Sequence, residues 1–95
     1  MSDLITAAVA TLSEKLAGGF DGVAKFVIED EGAIMLDSDG VRAADDEAEV
    51  TLTASADVFQ SILEGDLNPT SAFMSGKLSV DGDMSAAMRL GSVLG

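Results

Sequence analysis

Leu4, Ile5, Ala8, Val9, Leu12 and Leu16 recur three and four residues apart behind a Ser2-Asp3 capping signal, and Gly18-Gly19 closes the run. That spacing predicts an amphipathic helix over residues 3–17. From Val23 to Asp30 the period changes to two, with Ala24, Phe26 and Ile28 on one face and Val23, Lys25, Val27 and Glu29 on the other, as side chains alternate along a strand. Glu31-Gly32 interrupts it. Ile34 and Leu36 share one face of a second strand over 33–38, Asp39-Gly40 is a hairpin signal, and Val41 to Ala44 return as a third strand.

Past the acidic turn Asp45-Asp46-Glu47, Ala48, Val50, Leu52 and Ala54 alternate with Glu49, Thr51 and Thr53 in a half-buried fourth strand. Ser55 is placed to cap a helix carrying Val58, Phe59, Ile62 and Leu63 on one face, with Gly65 at its stop. Asn68-Pro69 opens a short helix through Ala72, Phe73 and Met74, ended by Gly76. Leu78 and Val80 alternate with Lys77, Ser79 and Asp81 in a fifth strand. After Gly82, Asp83 caps a last helix through Met84, Ala87, Met88 and Leu90. No repeat or linker interrupts the order. Strands with one apolar and one polar face predict a sheet solvated on one side and covered by helices on the other: an α+β fold in two layers. The two helices between the fourth and fifth strands predict that the fifth joins by a crossover rather than a hairpin.

Composition narrows the function. With 95 residues, 47% of them hydrophobic, and ten glycines, the chain is one small domain. A domain of this size buries only about 60–65% of its unfolded surface, so nearly every large apolar residue is needed inside. Five basic against 17 acidic residues give a net charge of −12, and Lys15, Lys25, Arg42, Lys77 and Arg89 each stand alone. Nucleic-acid binding and electrostatic attachment to anionic membranes both need clustered cations and are not expected. No cysteine and no histidine leave no disulfide framework, thiolate metal site or serine-histidine catalysis. Residues 1–11 lack a positively charged leader, and no 18-residue apolar run occurs, so a cytoplasmic protein is expected.

The carboxylates make the run from Met35 to Asp46 a calcium-loop candidate. Setting Gly40 at the required sixth position puts Asp37 third and Asp39 fifth, but Met35 first, so the first ligand is missing. The flanks read as strands, and a solvated hairpin accounts for the run. Two carboxylates suffice for glycoside hydrolysis, yet no spacing selects a pair, and no phosphate-binding glycine loop with lysine occurs. No catalytic residue, metal or cofactor is therefore assigned. The remaining pattern is apolar: Phe26, Ile28, Ile34, Leu36, Phe59, Ile62, Phe73, Met74, Met84 and Met88 gather on the inward faces. Such residues fill a core by default. Five methionines with no tyrosine or tryptophan suggest a deformable lining, because methionine adapts to irregular space.

From Ala48 onward the sequence resembles the sterol carrier protein type two, or nonspecific lipid-transfer, family. The resemblance is carried by Ala48-Glu49-Val50-Thr51-Leu52-Thr53, by Phe59 with Leu63-Glu64-Gly65, and by the run from Leu67-Asn68-Pro69-Thr70 through Phe73-Met74-Ser75-Gly76-Lys77-Leu78. Val80-Asp81-Gly82-Asp83-Met84 and Ala87-Met88-Arg89-Leu90 extend it. The first half fits more loosely, through the N-terminal helix and the Phe26 to Asp37 hairpin. The resemblance implies that residues 1–95 are a single sterol-carrier-like lipid-binding domain, with a mixed five-stranded sheet and helices packed on one face enclosing an apolar tunnel. It places the tunnel lining at the ten apolar residues just named.

It also implies noncatalytic binding of a lipid ligand: a fatty acid, acyl chain, sterol-like or isoprenoid lipid. The alternative is an accessory module presenting a lipid intermediate to a partner enzyme, as bacterial relatives suggest for a chain of prokaryotic character. Longer relatives carry a further segment against the tunnel, and the final Ser92-Val93-Leu94-Gly95 is no peroxisomal address.

Overall fold

Helix α1 (Asp3–Lys15) opens the fold in a computed structural model that describes residues 3–94, so the Ser2 part of the expected cap lies outside the described residues. It buries Ile5, Ala8 and Leu12 and ends two residues before the expected 17. Leu16 still donates its N–H to the Leu12 carbonyl at 2.8 Å, but Gly19 donates back to Leu16 at 2.7 Å and turns the chain. Gly19 has φ +83°, and a β-carbon there would stand 2.6 Å from the Ser38 carbonyl oxygen. Glycine thus lets the chain press against a strand turn. Phe20 follows into the core and its N–H donates to the Asp37 carbonyl.

Strands β1 (Ala24–Ile28), β2 (Gly32–Asp37) and β3 (Gly40–Ala43) form an antiparallel meander. Strand β4 (Val50–Ala54) then pairs parallel with β1, Phe26 opposite Leu52. The order β3-β2-β1-β4-β5 makes a mixed five-stranded sheet, with β5 (Leu78–Gly82) antiparallel beside β4 at one edge. Helices α2 (Ala56–Glu64) and α3 (Pro69–Met74) stand between those two neighbours where a hairpin would otherwise be. The expected crossover into β5 is therefore not there: β4 and β5 are consecutive antiparallel neighbours, and the crossover is the parallel step from β1 to β4, with β2 and β3 inserted between them in the chain.

Helix α4 (Met84–Leu94) ends the described residues. Three expected caps form. Ser55 Oγ accepts from Val58 N–H at 3.3 Å, Asn68 Oδ1 from Thr70 N–H at 2.8 Å, and Asp83 Oδ1 from Ser85 N–H at 2.9 Å. Each supplies an acceptor to N–H groups that the first helical turn leaves unpaired.

Among the described residues all four helices lie on one face. Helix α1 packs on β2, β3 and α2, while α3 and α4 pack on β4 and β5. One cluster joins Ala24, Phe26, Ile28, Ile34, Leu36, Val50, Leu52 and Ala54 of the strands to Ile5, Leu12, Phe59, Ile62, Ala72, Ala86 and Leu90 of the helices. At its centre the Phe26 and Phe59 rings sit 5.0 Å apart, tilted by 58°, within the range where aromatic pairs attract. The hairpin from Asp37 to Arg42 is held by its own charges: Arg42 Nη1 donates to Asp37 Oδ2, and Asp39 N–H to Asp37 Oδ1, both at 2.9 Å. The Arg42 guanidinium, with the Asp39 N–H, holds the Asp37 carboxyl below the usual carboxylate range. Among the described residues no helix is long and apolar enough to cross a membrane.

Candidate functional site

Helix α4 carries two apolar faces. Ala86 and Leu90, four residues apart, are fully buried in the core. Met84, Ala87, Met88 and Gly91 follow the i, i+3, i+4, i+7 spacing of a second face, turned toward α3 and β5. The short α3 does the same: Pro69 and Ala72 are buried, while Phe73 and Met74 are 41% and 81% exposed.

Between these helices and the strand edge lies an open groove of about 290 Å³. Leu52, Leu78 and Val80 come from the sheet, Pro69, Thr70, Phe73 and Met74 from α3, and Met84, Ala87, Met88 and Gly91 from α4. The pairing of Leu52 with Val80 across β4 and β5 puts those two side by side on the helix-facing side. Space is left because α4 offers a methyl group at Ala87 and no side chain at Gly91. A β-carbon at Gly91 would meet only Pro69 Cβ, at 3.9 Å.

Chemically the groove is nearly bare. Among the described residues Thr70 supplies the single side-chain hydroxyl of the lining, and no titratable side chain stands in it to activate that hydroxyl. Such a surface gains free energy by removing apolar area from water, at about 25 cal/mol per Å². It offers little else.

The ten residues expected to line a lipid site divide between two places. Phe73, Met74, Met84 and Met88 line the groove. Phe26, Ile28, Ile34, Leu36, Phe59 and Ile62 are packed core, each 0–1% exposed, and none lines the groove. Seven further lining residues were not singled out: Leu52, Pro69, Thr70, Leu78, Val80, Ala87 and Gly91. The helical spacing through Met84, Ala87, Met88 and Gly91 was a signal that could have found two of them. The strand contributions needed the β4–β5 register.

The profile of the SCP-2 sterol transfer family matches residues 4–95. Hydroxysteroid dehydrogenase-like protein 2 of Bos taurus is 33% identical over 88 residues, covering 93% of this chain but 20% of that protein. The chain thus spans about a fifth of the length of that relative. The solution structure of sterol carrier protein-2 from Aedes aegypti, in complex with the C16 fatty acid palmitate, aligns with a TM-score of 0.79 at 25% identity, over 99% of this chain and 96% of that one. A ubiquinone synthesis protein, UbiJ-SCP2, shares the fold with a TM-score of 0.66 at 17% identity, over 99% and 92% of the two chains.

Proposed function

The chain belongs to the SCP-2 sterol transfer family, and on that premise we propose that it is a lipid-carrying domain holding one long-chain lipid in the groove between β5, α3 and α4. The observation that carries the proposal is the lining itself: ten apolar positions and one threonine, with no charge. Phe73, Met74, Met84 and Met88 contact the chain of a fatty acid, acyl group or isoprenoid, with Leu52, Leu78 and Val80 as the floor. Phe26, Ile28, Ile34, Leu36, Phe59 and Ile62 lie behind that floor in the core covered by α1 and α2, and a bound chain that reached them would turn the groove into a tunnel. No covalent step is assigned.

Titration with fatty acids of increasing length tests the proposal. Saturable one-to-one binding is expected, with affinity rising by up to about 0.8 kcal/mol for each further methylene buried. Absence of saturable binding at every length overturns it. Native mass spectrometry of gently purified protein would identify a retained lipid by mass.

A second reading is favoured by the company such domains keep: the bovine relative is about five times the length of the aligned region, and a structural neighbour is a ubiquinone synthesis protein. In that reading the domain presents a lipid intermediate to a partner enzyme. Pull-down from native lysate separates the two, since a presenter retains a specific enzyme and a free carrier does not.

A further inference from the structure

Gly91 stands inside α4, a helix of 11 residues, where glycine weakens the helix relative to alanine. Neither the backbone nor the packing of the described residues requires it. Its backbone is helical and not of positive φ. A β-carbon there would lie 3.9 Å from Pro69 Cβ, an ordinary contact and the single one it would make outside its own helix. Alanine would therefore fit in place. What glycine adds is empty space, because position 91 lines the groove.

That space lies at the enclosed end of the groove. Pro69 is buried and Gly91 half-buried, whereas Met74 and Met88 are 81% and 72% exposed. A charged lipid head finds no partner at the enclosed end. The N–H groups of Thr70 and Ser71 already donate to Asn68 Oδ1, at 2.8 and 3.3 Å, and Thr70, the one polar side chain of the lining among the described residues, is neutral. Burying an unpaired carboxylate beside them is costly. An acyl tail needs no partner.

We propose that Gly91 determines the length of acyl chain the domain accepts: the methyl end of the lipid seats against Pro69 in the space a side chain at 91 would take, and the head lies toward Met74 and Met88. This rests on the lipid-carrier reading and adds to it an orientation and a ruler. Each carbon built onto position 91 displaces a carbon of the lipid tail. A larger residue there favours shorter lipids and leaves those too short to reach Pro69 unaffected.

Titration of the parent, Gly91→Ala and Gly91→Leu with saturated fatty acids from octanoate to stearate, each below its aggregation concentration, tests the ruler. Parent affinity is expected to rise by up to about fourfold per methylene until the tail fills the groove. The best-bound length should be shorter in Gly91→Ala and shorter still in Gly91→Leu, with octanoate affinity the same in all three. Gly91→Ala should also raise the urea midpoint, because alanine fits and favours the helix; it carries the test if leucine disturbs the fold. With isotope-labelled stearate bound to the parent, the terminal methyl should give nuclear Overhauser contacts to the Gly91 α-protons, and the methylene beside the carboxyl should give them to the Met74 or Met88 methyl.

Length profiles that run parallel in parent and variants, or an equal loss at every length, overturn the ruler. Contacts in the reverse order overturn the orientation on which it depends. In both cases saturable binding by the parent leaves the carrier reading standing. Absence of saturable binding by the parent at every length overturns the carrier reading itself, and the ruler with it.

Discussion

Over β1, β2 and β3, helices α1 and α2 close down until Ile5, Leu12, Phe26, Ile34 and Phe59 are at most 2% exposed. Over β4 and β5, helices α3 and α4 leave Phe73, Met84 and Met88 at 41%, 46% and 72%. Both halves present apolar residues to a helix-covered sheet, so hydrophobicity does not separate them. Side-chain shape does, together with the shortness of α3. The closed half uses a helix of 13 residues and interlocking branched and aromatic side chains. The open half uses a helix of six residues and another that offers alanine, glycine and unbranched methionine to the space between them. A core closes where volumes are complementary and stays open where one side of a gap offers only a methyl group or a hydrogen, as α4 does at Ala87 and Gly91.

Truncation should expose the contrast most strongly. Phe59→Ala removes a ring that is fully buried against Phe26 and is expected to cost about 3–5 kcal/mol in urea unfolding. Met88→Ala, at a position 72% exposed, is expected to stay within about 0.5 kcal/mol of the parent. Equal losses would mean that the two halves are packed alike and that the distinction drawn between them fails.

Enlargement asks the same question from the other side. In close packing, Met88→Trp would force neighbours apart at about 1–3 kcal/mol; beside an open groove the ring has room, so a loss below about 1 kcal/mol is expected. The indole emission should shift when fatty acid is added, and binding should weaken because the ring takes ligand volume. A strongly destabilised variant whose emission ignores lipid would place Met88 in solid core.

The smallest effect belongs to the hairpin at the far edge. The Arg42 hydrogen bond leads the causes that lower the native Asp37 pKa below the unfolded value. The pair therefore adds stability above the unfolded carboxylate range, near pH 4, and loses it as pH falls through the native value. Asp37→Asn should be slightly less stable than the parent at neutral pH, with the gap closing in acid, as expected of a pair whose arginine is about half exposed to solvent. Fatty-acid affinity should not change at either pH, because the pair lies at the edge of the sheet away from the groove. Acid unfolding curves with parallel binding titrations check both statements, and an affinity that follows Asp37 would couple the two halves.

What the residues determined by themselves is local. The helical spacing of Leu4 through Leu16, the alternation of Phe26 with Lys25 and Val27, the caps at Ser55, Asn68 and Asp83, and the run from Asn68 to Leu90 were legible because each depends on neighbours within a few positions. They led to the elements, the two layers and the family. The site was legible only in part, because periodicity reports that a residue faces inward and not whether the space before it is filled. Phe59 and Met88 carry the same apolar signal at similar helical spacing, yet one meets Phe26 at 5.0 Å and the other the open groove. That difference was decided by tertiary structure. The β4–β5 register sets Leu52 beside Val80, and the packing of α3 against α4 brings Pro69 opposite Gly91. Whether apolar surface ends as core or as cavity depends on volumes contributed by segments distant along the chain.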